Sequence, residues 1–356
     1  MKHTLALLTV LLLAPLAALH AAAGAKNVVV YYEPGRFAAW PANNGVWSWG
    51  NEILVGFDLG FFKANDRNHS IDKDKPAKTA FARSLDGGET WKLEEPELGG
   101  KAKPLPGGIR FDDPNFAMRV RNDKFHVSYD RGHKWEGPCD LSSSFKFKLT
   151  SRNDYLVNGE KDCFLFLSAG NQPEVNAGNY KDRAFCARTT DGGETFKFMS
   201  WMTGEPLTVR SVMPTTVRTS PNELVSVLRR REGGKCWIDA CGSEDNGASW
   251  KFLSKVGDTG GMNGNPPSMA QLPDGRLCVA WGFRSEPFGI HAKISRDQGR
   301  TWSDEILLRQ DGRTCVLGYT RTVVRPDGKL VTIYYYTTAE RPEQHLEATI
   351  WEAKQP

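Results

Sequence analysis

Five copies of one short pattern, Ser/Thr-x-Asp-x-Gly-x-x-Trp/Phe, run through this chain. They read SLDGGETW (Ser84 to Trp91), SYDRGHKW (Ser128 to Trp135), TTDGGETF (Thr189 to Phe196), SEDNGASW (Ser243 to Trp250) and SRDQGRTW (Ser295 to Trp302). A motif that returns every ~40–60 residues predicts a repeat architecture, one supersecondary unit per copy. The residue types suggest how each copy works. Asp and Ser/Thr side chains bond nearby backbone N–H groups, Gly supplies a positive φ, and the aromatic ring packs beneath the hairpin. The motif therefore pins a turn between outer strands. Asp86, Asp130, Asp191, Asp245 and Asp297 are expected to be structural staples, not catalytic acids.

The segments between the copies read as strands. Asn51–Phe57, Asp162–Ser168, Glu223–Leu228, Arg276–Trp281 and Lys329–Tyr336 are short, rich in β-branched and aromatic residues, and bounded by Gly, Asn and Asp turns. No long amphipathic helical pattern competes with them. Five motif-bearing units leave strand-like material at both ends. A closed β-propeller removes its free edges by pairing strands from the two termini. The expected fold is therefore all-β, a six-bladed propeller in one domain over residues 26–356.

The first 25 residues have a different composition. Lys2 and His3 precede a Leu/Ala-rich run, and Ala23-Gly24-Ala25 offers a small-x-small cleavage site. This is the pattern of a secretory signal peptide over 1–25, and it predicts export to a periplasmic or extracellular space. No other stretch reaches the ~20 apolar residues of a membrane span. The formal net charge is only +4, which argues against nucleic acid as a partner. It suits an anionic small ligand held by a local arginine cluster. The seven cysteines include no C-x-x-C pair, so a zinc site is not expected. Their odd number leaves at least one unpaired within the chain.

With five Asp-boxes on a six-unit all-β chain, the sequence resembles the sialidase (neuraminidase) superfamily of Asp-box, or BNR-repeat, propellers. That resemblance implies a glycan or glycoconjugate substrate ending in an anionic sugar, and no metal or organic cofactor. It implies three arginines on the sugar carboxylate, because guanidinium forks match its two oxygens. It also implies a Tyr nucleophile, since a carboxylate nucleophile would be repelled by the substrate's own charge. The matching positions are Arg36 before the first inner strand, Arg229 after ELVSVL, Arg284 after LPDGRLCVAWGF, and Tyr319 in GYTRTVVRPDGKL. Arg210 and Arg321 flank these positions and complete the substrate-binding candidates. Asp72 or Asp74, beside His69 and shortly before the first Asp-box, is the candidate acid.

Two expected glutamates are missing. The Glu that partners the Tyr should precede the Arg229 strand, where this chain has Met213. Similarly, the later supporting Glu falls near Tyr335. Glu52 or Asp113 could take the partner's place. Asp112, Arg152, Asp154, Asn263 and Asn265 also fall where inner strands would reach the axis, and Trp40, Trp47 and Trp49 could stack on sugar faces. Two further readings follow: a glycosidase for a different acidic sugar using an Asp/Glu pair, or a carbohydrate-binding propeller without turnover.

Overall fold

The computed structural model describes residues 20–22, 24–65, 68–103, 108–150, 154–170, 182–204, 209–261 and 263–353. The strands form six antiparallel sheets arranged as the blades of a propeller. Blade I has an innermost strand in two halves, Arg36–Ala39 and Val46–Trp49, both paired with Glu52–Phe61, followed by Lys78–Ser84 and Lys92–Glu94. Blade II is built from Ala117–Arg121, Lys124–Ser128 and Glu136–Asp140. Blade III spans Asp154–Gly159, Asp162–Ala169, Arg183–Thr189 and Lys197–Trp201. Blade IV spans Arg210–Ser220, Glu223–Glu232, Lys235–Ser243 and Lys251–Asp258.

Blade V is Ser268–Gln271, Leu277–Phe283, Gly289–Ser295 and Ile306–Arg309, with His20–Ala21 added as a short parallel edge. Blade VI takes Gly318–Val324, Leu330–Tyr336 and His345–Trp351 from the C-terminal end, and its outermost strand, Lys26–Tyr31, from the N-terminal end. That pairing closes the ring. It also explains five Asp-boxes on six blades. A sixth box would join the third and fourth strands of blade VI, and those strands lie at opposite ends of the chain.

The five boxes share their hydroxyl and Asp bonds, while the aromatic differs: Trp91 and Trp135 donate to their own box glycine carbonyl, Trp302 donates to Ser254 Oγ, and the third box carries Phe196. In the first, Gly88 N–H donates to Ser84 Oγ at 2.8 Å, Thr90 N–H donates to Asp86 Oδ1 at 2.9 Å, and Trp91 Nε1–H donates to the Gly88 carbonyl at 2.9 Å. Each box aromatic packs against the blade before its own. Trp91, Trp135, Phe196, Trp250 and Trp302 each join the apolar cluster between those two blades. The box glycine has to approach just as closely. A Cβ on Gly132 (φ +80) would lie 2.4 Å from Leu54 of the preceding blade. With one cluster at each of the six blade interfaces, the core is a ring of wedges, and the boxes hold it from one end.

The signal-peptide expectation concerns residues 1–25. Residues 1–19 and 23 lie outside the described ones, while Ala22 and Ala25 pack against the cluster between blades V and VI. All seven cysteines are free thiols, and six of them are buried. Cys186 and Cys241 are pushed up to about 12 by burial, as expected of inert core residues.

Candidate active site

Each blade's second strand runs away from the Asp-boxes, so its last residues reach the opposite end. That is where the arginines gather. Arg229 and Arg231 end the second strand of blade IV, Arg284 follows that of blade V, and Tyr335 ends that of blade VI. Arg210 and Tyr319 sit at the start of innermost strands, which enter from this end. The innermost strands are irregular here. The ladder of blade IV is bulged between Val212 and Thr215, and that of blade VI between Gly318 and Arg321. Blade I breaks between its two halves at a short helix, Pro41–Asn44. Each interruption holds a non-glycine residue in the left-handed region: Met213 (φ +58), Tyr319 (φ +51) and Trp40 (φ +60). Such backbone costs about 1–3 kcal/mol per residue and concentrates at functional sites. Met213 and Tyr319 pack on one another's cluster with Ala42 and Val212.

Around Tyr319 the charges come from several blades. Arg229 donates Nε–H and Nη2–H to the Asn263 carbonyl, at 3.0 and 2.5 Å, and its Nη1 meets Met213 Sδ at 3.8 Å. Arg284 donates to the Leu317 carbonyl and, at 2.8 Å, to Tyr335 Oη; its guanidinium carbon lies 5.7 Å from the Tyr319 ring centre. Arg210 is held by Asp182 at 2.7 Å. Tyr319 N–H donates to Asn265 Oδ1 at 2.7 Å, and Asn265 Nδ2 holds the Leu317 carbonyl, so Asn265 fixes both ends of the turn into Tyr319.

Burial opposes ionisation of Tyr319. The guanidiniums of Arg229, Arg284 and Arg210, with a hydrogen bond from Arg229, outweigh it and hold the phenol below its ordinary value. His69 closes the same end from the loop after Glu52–Phe61. Its ring lies 4.7 Å from Trp40 and 5.9 Å from Tyr335, and Trp40 Nε1–H reaches its Nε2 at 3.4 Å. Burial, then the cations of Arg284, Lys73 and Arg229, bring it down to about 3, so it is neutral at physiological pH. Buried guanidiniums from blades IV and V around one phenol make this end electropositive and suited to an anion.

The family profile described as BNR repeat-like domain matches residues 115–330, more than half of the chain. The chain belongs to the BNR repeat-like domain family. Solved structures agree on the fold. A protein of unknown function from Dyadobacter fermentans superposes with a TM-score of 0.70 at 21% identity, covering 93% of this chain and 100% of that one. An α-L-arabinofuranosidase from Fusarium graminearum, bound to an iminosugar inhibitor, gives 0.57 at 12% identity over 92% and 97%. A mutant of Trypanosoma rangeli sialidase displaying trans-sialidase activity gives 0.57 at 13% identity, over 94% of this chain and 60% of that one. No curated protein sequence matches the chain. The fold is that of sialidase-like BNR propellers.

Within this BNR propeller the candidate residues separate. Tyr319, Arg229, Arg284 and Arg210 come together. Arg321 lies two residues further in, donating to the Ala42 carbonyl at 3.0 Å and facing Asp154 at 3.6 Å. Arg36 starts blade I at the same end, but its guanidinium lies over the Phe61 ring, 4.3 Å from its centre, beside Tyr31. Asp72 is mostly buried between Lys63 (3.6 Å) and Lys75 (3.8 Å), whereas Asp74 is exposed on Lys63 (3.0 Å). Both lie in the loop that carries His69.

Glu52 and Asp113 are at the other end. Glu52 starts the second strand of blade I, at the Asp-box end, paired with Arg83 at 2.6 Å and Arg131 at 2.9 Å. Asp113 accepts the Asn115 N–H at 2.8 Å in the loop under the second box. Neither reaches Tyr319, because strand direction sets them a full blade height away. Asp112 is exposed beside Arg110, and Arg152 lies outside the described residues. Sequence reasoning missed Asp182, whose role shows only in its pairing with Arg210 from the next blade. It also gave Tyr335 no part, although Tyr335 now receives Arg284.

Proposed function

We propose that this chain is an exported, retaining glycoside hydrolase for terminal sugars that carry a carboxylate, sialic-acid-like in charge and shape. The supporting observation is the set of arginines from blades IV and V around Tyr319. In this reading Arg229, Arg284 and Arg210 bind the sugar carboxylate, and the same cations favour the Tyr319 phenolate. Tyr319 Oη attacks the anomeric carbon while the bond to the leaving oxygen breaks. Asp72, the more enclosed of the two loop aspartates, gives that oxygen its proton. Water then attacks the same carbon and releases Tyr319, and Asp72 takes the water's proton. Here the arginines, with Met213 at the Glu position, replace the usual carboxylate help to the phenol. The contacts that Arg229 and Arg284 make to main-chain carbonyls also suit a second reading, a sugar-binding propeller without turnover.

The two readings are separated by release of 4-methylumbelliferone from its sialoside. The glycosidase reading expects release by the wild type and a loss of about 10³-fold or more in kcat for Tyr319→Phe. Undiminished release by Tyr319→Phe rules out Tyr319 as nucleophile. Binding of the sialoside without release supports the second reading.

A further inference from the structure

We propose that Asn265 is the positioning residue of the Tyr319 site: its buried amide sets where the phenol stands between Arg229 and Arg284. The catalytic consequence rests on the glycosidase reading above, whereas the placement of the phenol does not. Tyr319 (φ +51) follows Gly318 (φ +99), so two successive left-handed residues turn the chain at the start of its strand. The ladder to Leu330–Tyr336 is bulged at the same point, between Gly318 and Arg321. Backbone of this kind keeps its shape only where its surroundings dictate it. Asn265 is 0% exposed; its Oδ1 accepts the Tyr319 N–H and its Nδ2 donates to the Leu317 carbonyl, both at 2.7 Å. One group must accept and donate at once. An amide does so, and a carboxylate or an apolar side chain of the same shape does not. The space is cut to that amide. A Cβ on Gly318 would lie 2.5 Å from Asn265 Nδ2, and a Cβ on Gly282 would lie 2.7 Å from it.

The same stretch of chain holds the arginines. The Leu317 carbonyl that Asn265 grips also accepts Arg284 Nε–H at 3.3 Å and Nη2–H at 3.0 Å, so Tyr319 and Arg284 share one anchor. Two residues before Asn265, the Asn263 carbonyl takes Arg229 at 3.0 and 2.5 Å, and Asn263 Oδ1 accepts from Arg231. This stretch is itself fixed. Asn263 and Gly264 both have φ +68, and a Cβ on Gly264 would lie 2.7 Å from Cys236 Cβ and from Thr259 Oγ1. Arg229, Arg284 and Tyr319 belong to three different blades, yet all are tied to residues 263–265, in the connection from blade IV to blade V. A shift of the Tyr319 backbone would move the phenol relative to both guanidiniums, and the Asn265 amide opposes that shift.

The test reads the phenol itself, as the tyrosinate absorbance lost on Tyr319→Phe, titrated in the wild-type and Asn265→Ala backgrounds. The guanidiniums hold the wild-type phenol low, so Asn265→Ala should move its titration to higher pH by about one pH unit or more. Gly132→Ala, which loosens the Asp-box end, should leave it in place. An unmoved titration in Asn265→Ala overturns the proposal. So does an equal move in Gly132→Ala, which would be a response of the whole fold. If Asn265→Ala does not fold, Asn265→Ser, too short to span both bonds, decides in the same way. On the 4-methylumbelliferyl sialoside, Asn265→Ala should lower kcat by about 10²-fold and change KM by less than about threefold. A raised KM with kcat intact overturns the positioning role. A wild type that releases no 4-methylumbelliferone defeats the glycosidase reading, and the titration alone then decides the proposal.

Discussion

At the Asp-box end of the propeller, each acid is satisfied inside its own eight-residue motif. At the Tyr319 end, the groups that act on one another come from different blades. Asp191 illustrates the first case. The hydroxyls of Thr195 and Thr189 bring it down to about 2, and both belong to its own box. Tyr319 illustrates the second, because its phenol is held low by arginines that start or end strands of two other blades. The box end is locally written and repeats five times. The opposite end exists only once the ring has closed. The motif most visible in the sequence is therefore scaffold, and the candidate site lies at the other end of the strands it anchors.

The largest test of this contrast removes a cation from the Tyr319 end. Arg229→Met should reduce kcat/KM on a carboxylate-bearing glycoside by roughly a hundredfold or more, ~3 kcal/mol, as when one partner of a buried charge pair is lost. A neutral glycoside should not show the same loss, and equal losses on both would break the carboxylate assignment. Met213→Glu places a carboxylate against Arg229 and beside Tyr319. It should move the acid limb of the pH–rate profile, and the tyrosinate absorbance titration of Tyr319, to higher pH. A limb that stays in place would mean that the cations do not set the phenol.

At the box end the effects should fall on stability, with activity per folded molecule unchanged. Gly132→Ala, strained by its φ and by the approach to Leu54, should cost about 2 kcal/mol or more. Asp191→Ala should cost about 1 kcal/mol in urea unfolding. The two ends should also respond to pH in different windows. The folded-state values of Asp191 and Asp86 lie near 2 against an ordinary 3.8. Their contribution is complete above that ordinary value and is lost as pH falls toward 2. His69 is neutral in the fold down to about 3 against an ordinary 6.5. Its contribution is lost earlier, as pH falls from 6.5 toward 3. His69→Phe should therefore flatten the stability profile between pH 6.5 and 4 and leave the steeper loss below it.

The same contrast explains what was legible in the sequence. Box, turn and strand are local patterns, so six blades and closure by the two termini could be read before any coordinates. Tyr319, Arg229 and Arg284 are named through the resemblance to sialidases, whose motifs each match a stretch within a single blade. Glu52 looked eligible only while strand direction was ignored. Asn51 accepts the Gly87 N–H of the first box, and that contact fixes the neighbouring Glu52 at the staple end. Arg36 precedes the expected strand and starts a short one of its own, Arg36–Ala39, where its direction is settled by Phe61 across the ladder. Asp182 carries no motif; only the meeting of blades III and IV gives it Arg210.

The central claim is that Tyr319 is a nucleophile governed by arginines. Its most direct test is incubation with 2,3-difluorosialic acid, the inhibitor found as a covalent intermediate on Trypanosoma rangeli sialidase, followed by peptide mass mapping. The account predicts one glycosyl adduct per chain, on the peptide that carries Tyr319, and none on Tyr319→Phe. An adduct on another residue, or hydrolysis of a sialoside with no adduct on Tyr319, would contradict it.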